Sequence, residues 1–375
     1  MKSTSRLRKQ QRIVVKIGSN VLTTSNGLNL RVIQSVSRQI SILMEKGIEV
    51  VLVSSGAMAA GQKKIGMDSR PDEIPKRQAI AAVGQAGLIL EYEKAFETYG
   101  KKVAQILLTH DDLRHRRRYL NSRNTLCTLL EWGVLPIVNE NDTVMVEEIE
   151  FGDNDNLAAM ITLLMDADMC INLTDIDGLY SKDPRVNEDA ELISDVTAIT
   201  RTLEKIAGDI PGALGRGGMK SKIKAAKKLM RAGIPMVIAG GDQKDVLLRL
   251  LEGERLGTYF IPRRERLSSR KCWIAFTMKE EGALYLDDGA ANAIRRKGKS
   301  LLPIGVVKVK GDFNIGACVV FYDASEAEIG RGLVNYSAAD IRKIAGLKTQ
   351  EIEHHLGYKP YDEIIHRDHM AVIEH

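Results

Sequence analysis

Cysteine is scarce in this sequence: four in 375 residues, at positions 127, 170, 272 and 318. No two form a Cys-x-x-Cys pair and none has a histidine nearby at ligand spacing. A zinc site or disulfide framework is therefore not expected, and buried free thiols in a reducing compartment are. No stretch approaches the roughly 18 uninterrupted apolar residues of a membrane span. The N-terminal MKSTSRLRKQQR is basic but lacks the apolar core and cleavage site of a signal peptide, so a cytoplasmic location is expected. An excess of charge is also missing. With 54 Lys and Arg against 49 Asp and Glu, the net charge of +5 suits an enzyme handling anions. It falls far short of a dedicated nucleic-acid binder. The phosphate-loop pattern G-x-x-x-x-G-K-[ST] does not occur.

What is present is alternation. Apolar runs of strand length stand at 12–17, 48–54, 102–109, 134–139, 168–174 and 234–239. They are rich in Val, Ile and Leu on both faces, as parallel strands covered on both sides require. Segments of helical period lie between them at 30–46, 76–98, 122–132, 154–166, 219–232 and 243–252. The chain is long for one hydrophobic core. The pattern predicts an α/β fold, a three-layer αβα sandwich with a mainly parallel sheet, over residues 1–262. A polar, aperiodic stretch at 263–270 reads as a linker. Residues 271–375 read as a small β-rich domain with a tail: strand-like CWIAFTM, GALYLDDGA, IGVVKVKG, GACVVFYD and EIGRGLVNY, then helical patterns near 337–345 and 349–355. The final HRDHMAVIEH carries no clear pattern.

Polar groups gather where these apolar runs end. Lys16 leaves the first into Gly18-Ser19, a turn whose N–H groups could cradle a phosphate. A solvated strand-end lysine is the plain alternative. The second run ends in Ser54-Ser55-Gly56, small residues that admit a ligand to the backbone or simply cap a helix. The fourth runs into Asn139-Glu140-Asn141-Asp142, followed by Gly152-Asp153-Asn154-Asp155-Asn156. Amides and carboxylates of this kind can bind an amino acid's ammonium and carboxylate, fix a lysine, or cap the next helix. A calcium loop is discounted, because no glutamate occupies its twelfth position. Thr174-Asp175 ends the fifth run, and Gly215-Arg216-Gly217-Gly218-Met219-Lys220-Ser221-Lys222 opens a helix, a ready anion site.

Taken together, K-I-G-S, V-S-S-G-A, V-N-E-N-D, G-D-N-D-N, L-T-D-x-x-G-L-Y and G-x-G-G-M-x-x-K resemble the glutamate 5-kinase family of the amino acid kinase superfamily. The resemblance spans essentially the whole chain, and the C-terminal part is similar to a PUA domain. It implies the amino acid kinase fold and ATP-dependent phosphorylation of the γ-carboxylate of L-glutamate, the first step of proline biosynthesis. It implies that Lys16 and Lys222 contact the transferred phosphoryl group while Asp155 holds both ammonium groups. Ser55, Gly56, Asn139, Asp142 and Asn154 would bind glutamate. Lys16, Gly18, Ser19, Thr174, Asp175 and the loop from Arg216 through Gly217, Gly218, Met219, Lys220 and Ser221 to Lys222 would contact the nucleotide. Mg2+ would bridge the ATP phosphates, and no protein residue is assigned as a metal ligand. Feedback inhibition by proline and assembly into dimers or tetramers are further implications. In one departure, Arg216 stands where the family's glycine loop carries a small hydroxylated residue.

Kinases of N-acetylglutamate, aspartate or a nucleoside monophosphate are the enzymatic alternatives, disfavoured by the paired N-E-N-D and G-D-N-D-N clusters and the appended domain. An RNA-binding scaffold is the alternative of another class. PUA domains are commonly RNA-binding, yet residues 271–353 hold 12 Lys or Arg against 11 Asp or Glu, a balance that gives little counterion-release affinity. A structural or regulatory role is favoured there. The basic run Arg114-His115-Arg116-Arg117-Arg118 reads as a solvated face or a subunit contact, with nucleic-acid contact as the sharper alternative.

Overall fold

The computed structural model describes residues 12–24, 27–67, 69, 71–144, 154–209, 218–262, 266 and 269–372. The chain divides into two compact units, Met1–Leu113 with Arg117–Arg266, and Arg114–Arg116 with Leu267–His375.

The first unit is built on eight strands: β1 (Arg12–Ile17), β2 (Glu49–Ser54), β3 (Lys102–Leu108), β4 (Val134–Glu140), β5 (Met169–Thr174), β6 (Asp195–Val196), β7 (Met236–Gly240) and β8 (Thr258–Phe260). They lie in the order β3-β4-β2-β1-β5-β7-β8-β6. All pairings are parallel except β7 with β8. All six apolar runs expected as strands fall on strands of this sheet. The central ones are buried on both faces: Ile13, Val14, Val15 and Ile17 of β1 and Val51, Leu52 and Val53 of β2 are fully covered. Burying each such side chain stabilises the fold by about 1.5–3 kcal/mol.

Helices α1 (Ser19–Leu22), α2 (Leu30–Glu45), α3 (Ala57–Ile65), α4 (Ile74–Glu97), α5 (His110–Arg114), α6 (Arg116–Glu131), α7 (Asn154–Leu164), α8 (Arg201–Asp209), α9 (Met219–Arg231) and α10 (Val246–Leu251) accompany the sheet. Asn29 caps α2 by accepting from the Val32 N–H at 3.4 Å, and Pro75 stands in the first turn of α4, where its missing donor costs nothing. Helix α6 begins at Arg116, earlier than the expected 122: the arginine run obscured the period, but its exposed charges tolerate a helix well. Helices α3 and α4 approach unusually closely. A Cβ on Gly61 would stand 1.8 Å from the Ile80 carbonyl oxygen, and one on Gly84 1.8 Å from that of Ala57. Only glycine permits this backbone contact.

In the second unit, β9 (Gly282–Leu286), β10 (Val306–Lys310), β11 (Cys318–Tyr322), β12 (Glu328–Leu333) and β13 (Met370–Val372) form one sheet in the order β10-β9-β11-β12-β13. Its core is Leu284, Val319, Phe321, Ile329, Tyr336 and Ile341 with their neighbours. One expectation is corrected, and one segment without a sequence pattern gains an element. The run CWIAFTM is not a strand: helix α11 (Ser269–Phe276) takes most of it, since a short apolar run is buried equally well by either element. The weakly patterned tail supplies β13, which is held by ladder pairing with β12 rather than by its own alternation. Asp287 caps a further helix, α12 (Asp288–Lys297), by accepting from the Ala290 N–H at 2.6 Å. Cys170, Cys272 and Cys318 are buried free thiols, but Cys127 is only partly covered. Among the described residues no helix is long and apolar enough to cross a membrane.

Candidate active site

Because the central strands run parallel, their carboxyl ends meet along one edge of the sheet, the usual place for ligands in open α/β folds. Lys16 is the penultimate residue of β1, Ser54 the last of β2, Glu140 of β4 and Thr174 of β5. Asn154 and Asp155 open α7, and Ser221 and Lys222 lie in the first turn of α9.

Asp155 is the centre. It is 1% exposed, and four side chains donate to its two oxygens. Oδ1 accepts from Lys16 Nζ at 2.6 Å and from Asn172 Nδ2 at 2.8 Å. Oδ2 accepts from the Ser221 hydroxyl and from Lys222 Nζ at 3.3 Å. Burial alone would raise this carboxyl's pKa, but the ammonium groups of Lys16 and Lys222 outweigh it and hold Asp155 well below the usual carboxylate range. Lys222 is also buried, which lowers its pKa; Asp155 opposes that shift and the nearby charge of Lys16 adds to it. Directly across the ladder from Lys16 stands Asn172, so neighbouring strands aim both side chains at one carboxylate.

A second cluster is built around Asn154. Its Nδ2 donates to the Ser54 carbonyl at 2.9 Å, to Ser55 Oγ at 2.9 Å and to Asn139 Oδ1 at 3.0 Å. Its own Oδ1 is buried with no hydrogen-bond partner among the described residues. Gly56, between Ser55 and α3, has φ of 100°, a left-handed conformation that favours glycine. Asp142 lies in a single 3-10 turn, Asp142–Val144, just beyond Asn139.

On the other side of Lys16, Gly18 and Ser19 start α1, and the Gly18 N–H donates to the Leu173 carbonyl at 2.9 Å. Asp175 accepts from Asn20 Nδ2 at 2.8 Å and from the Thr174 hydroxyl at 3.0 Å, joining the turns after β1 and β5. Burial raises the Asp175 carboxyl, but these two hydrogen bonds prevail and its pKa is lowered. Gly218 precedes α9, Met219 is buried and Lys220 is exposed. Arg216 and Gly217 lie outside the described residues.

Lys16, Ser55, Asn139, Asn154, Asp155, Ser221 and Lys222 thus belong to two hydrogen-bonded clusters on adjacent residues of α7. Sequence reasoning did not single out Asn172 or Asn20. Asn172 could have been noticed as the one amide in the middle of a fully buried strand. For Ser221 the hydroxyl serves Asp155, a contact that its place in a glycine-rich loop did not suggest.

A parallel sheet that brings two buried lysines onto one aspartate at its carboxyl edge defines a phosphoryl-transfer enzyme of the amino acid kinase class. The amino acid kinase family model matches residues 11–240, and the PUA domain model matches residues 282–356. The chain is 52% identical to the glutamate 5-kinase of Thermoanaerobacter sp. (strain X514) over 97% of its own length and 98% of the relative's. It is 53% identical to that of Syntrophus aciditrophicus (strain SB), covering 98% of this chain and 95% of the other. Among solved structures, UMP kinase from Bacillus anthracis superposes with a TM-score of 0.48 at 18% identity, over 69% of this chain and 99% of its own. This chain belongs to the glutamate 5-kinase family.

Proposed function

We propose that this protein transfers the γ-phosphoryl group of ATP to the side-chain carboxylate of L-glutamate, giving γ-glutamyl phosphate, the first step of proline biosynthesis. The observation that carries the reading is the buried Lys16–Asp155–Lys222 constellation at the edge of the sheet.

The chemistry asks little of the protein beyond alignment and positive charge. A carboxylate oxygen of glutamate attacks the γ-phosphorus, the bond to the β–γ bridging oxygen breaks, and ADP leaves. The glutamate side chain is already ionised at neutral pH, so no general base is needed. Asp155 is unsuited to that role in any case, with both oxygens occupied and its carboxyl held ionised. Its part is to hold two ammonium groups where negative charge spreads over the migrating phosphoryl group. Ser55, Gly56, Asn139, Asp142 and Asn154 are assigned to glutamate, and the unpartnered Asn154 Oδ1 suits its α-ammonium. Gly18, Ser19, Thr174, Asp175 and the segment from Arg216 to Lys222 are assigned to the nucleotide.

Among the described residues no group of three or more His, Cys, Asp or Glu side chains is arranged to hold a metal. The oxygens of Asp155 are taken up by its four donors. In our reading the divalent cation that a kinase needs is Mg2+, and the nucleotide's phosphates would hold it. We further assign residues 1–262 to the kinase domain, 263–270 to a linker and 271–375 to the PUA-like domain and tail. A cytoplasmic location, assembly into a dimer or tetramer and inhibition by proline complete the reading. A structural or regulatory role is preferred to RNA binding for the second domain, on its near balance of charge.

Hydroxylamine trapping of acyl phosphate, with ATP and magnesium and with L-glutamate, N-acetylglutamate or L-aspartate as acceptor, tests the activity. Hydroxamate from L-glutamate alone is expected. Product only with another acid would overturn the substrate, and no product at all would overturn the reaction.

A further inference from the structure

A second layer of polar groups, two buried and two half-buried, lies among the elements that carry the site, and the reaction described above does not use it. His110, the first residue of α5, is 4% exposed, and Glu140, the last of β4, is 2% exposed. Nδ1 of His110 makes no hydrogen bond among the described residues, but it lies 3.4 Å from Oε1 of Glu140, close enough to turn its proton toward that carboxylate. Its Nε2 lies 2.6 Å from Nδ2 of Asn156. Asn156 in turn accepts at Oδ1 from Lys228 Nζ, on α9, at 2.5 Å.

The direction of these bonds is set at the lysine. An ammonium only donates, so Asn156 presents its carbonyl oxygen to Lys228 and its NH2 group to His110. Nε2 of His110 must then accept. The ring is neutral and carries its proton on Nδ1, facing the Glu140 carboxylate. Were the proton on Nε2, two donors would oppose each other, and turning the amide would only set its NH2 group against the ammonium.

Each partner of the layer sits beside a residue of the site. Glu140 follows Asn139, Asn156 follows Asp155, and Lys228 shares α9 with Ser221 and Lys222. We propose that His110 and Lys228 are positioning residues for phosphoryl transfer. Through Glu140 and Asn156 they tie the first turn of α7 to the end of β4 and to α9. This sets Asp155 against its two lysines. The proposal rests on the kinase reading of the site. Its physical basis is the tolerance of such a constellation, about 0.5 Å, and the roughly 100-fold loss that a displacement of about 1 Å can bring.

The test compares His110→Leu, His110→Gln, Lys228→Met and the double variant H110L/K228M in the hydroxamate assay, with thermal melting of each. His110→Leu is expected to lower kcat about tenfold or more while the protein stays folded. His110→Gln should recover most of that loss, because a carboxamide offers an acceptor to Asn156 and an N–H to Glu140. Lys228→Met should lower kcat with the KM for glutamate changed by less than about twofold. The double variant should be little worse than the poorer single one, since both residues act through Asn156. Unchanged kcat in folded single variants, or losses that multiply in the double one, would overturn the proposal. If the unaltered protein forms no hydroxamate from L-glutamate, the kinase reading falls on its own. In that case, or if the variants do not fold, the ring of His110 decides by nitrogen-15 NMR of the unaltered chain. A neutral Nδ1–H ring supports the layer as described, and an Nε2–H or charged ring refutes it.

Discussion

Lys16 donates to Oδ1 of Asp155 at 2.6 Å across 139 positions of chain, in a site where neither side chain is more than 5% exposed. Lys222 takes the other oxygen. One buried carboxylate therefore answers two buried ammonium groups, an excess of positive charge that a transferring phosphoryl group would complete. In the free protein the pair costs desolvation, and removing the shared partner is worse than never having formed it.

Asp155→Asn should therefore destabilise the protein by about 3–5 kcal/mol, because two ammonium groups are left buried and facing each other. Chemical denaturation of the full chain measures this, and the hydroxamate assay should show activity nearly abolished. A variant of normal stability would show that the lysines find other partners.

Lys222→Ala is expected to lower kcat by two or more orders of magnitude, about 3 kcal/mol of lost transition-state stabilisation. The KM for glutamate should move far less, since Lys222 bonds to Asp155 and not to the Asn154 cluster. Initial rates at varied glutamate and saturating ATP decide it, and an unchanged kcat would remove Lys222 from the catalytic set.

The pH profile should carry the mark of the same residue. Burial lowers the Lys222 pKa below its ordinary 10.5, and only the ammonium form can stabilise the phosphoryl group. Activity should fall as pH rises through that lowered value, before free lysines titrate. The fall should vanish in Lys222→Arg, whose residual activity stays flat because a guanidinium does not lose its proton in this range.

Packing between α3 and α4 offers a stability test that does not involve the buried ion pairs. Gly61→Ala or Gly84→Ala places a methyl group within 1.8 Å of a backbone carbonyl oxygen that no rotamer change can move. A loss of at least about 1–3 kcal/mol is expected. The glutamate KM should rise as well, because α3 begins directly after Ser55 and Gly56. Melting curves with and without glutamate separate the two effects.

In the second unit, Asp323 accepts from the Ser325 hydroxyl and N–H and from the Ala327 N–H, and it pairs with Arg295. The Ser325 and Ala327 hydrogen bonds, with help from Arg295, hold its pKa at about 2. The unfolded chain's carboxyl titrates near 3.9. Its contribution to stability is thus complete above about pH 4 and disappears as pH falls through about 2. Asp323→Asn should flatten the acid limb of stability over that window, read by circular dichroism.

Much of the site could be read without a structure, because its residues sit at the ends of apolar runs that a parallel sheet must align on one edge. Lys16, Ser55, Asn139 and Thr174 were singled out on that ground, and Asn154, Asp155 and Lys222 because they open helices beside that edge. Asn172 was not, since within a buried strand one amide reads as a tolerated exception until its partner is known. His110 and Lys228 were missed for a related reason. One sits in a short, charged helix and the other in a lysine-rich one, where neither looks different from an exposed neighbour.

Sequence by itself determined the α/β alternation, the β-rich character of the second unit and the chemistry that these side chains can perform. Periodicity and residue type are local, and they survive in a one-dimensional reading. Tertiary structure alone decided that Lys16, Asn172, Ser221 and Lys222 converge on Asp155, that glycines let α3 and α4 touch, and that CWIAFTM coils while the tail extends. Such facts depend on strand order and on which surface a segment buries. Both are settled by contacts between residues far apart in the chain, which no local pattern records.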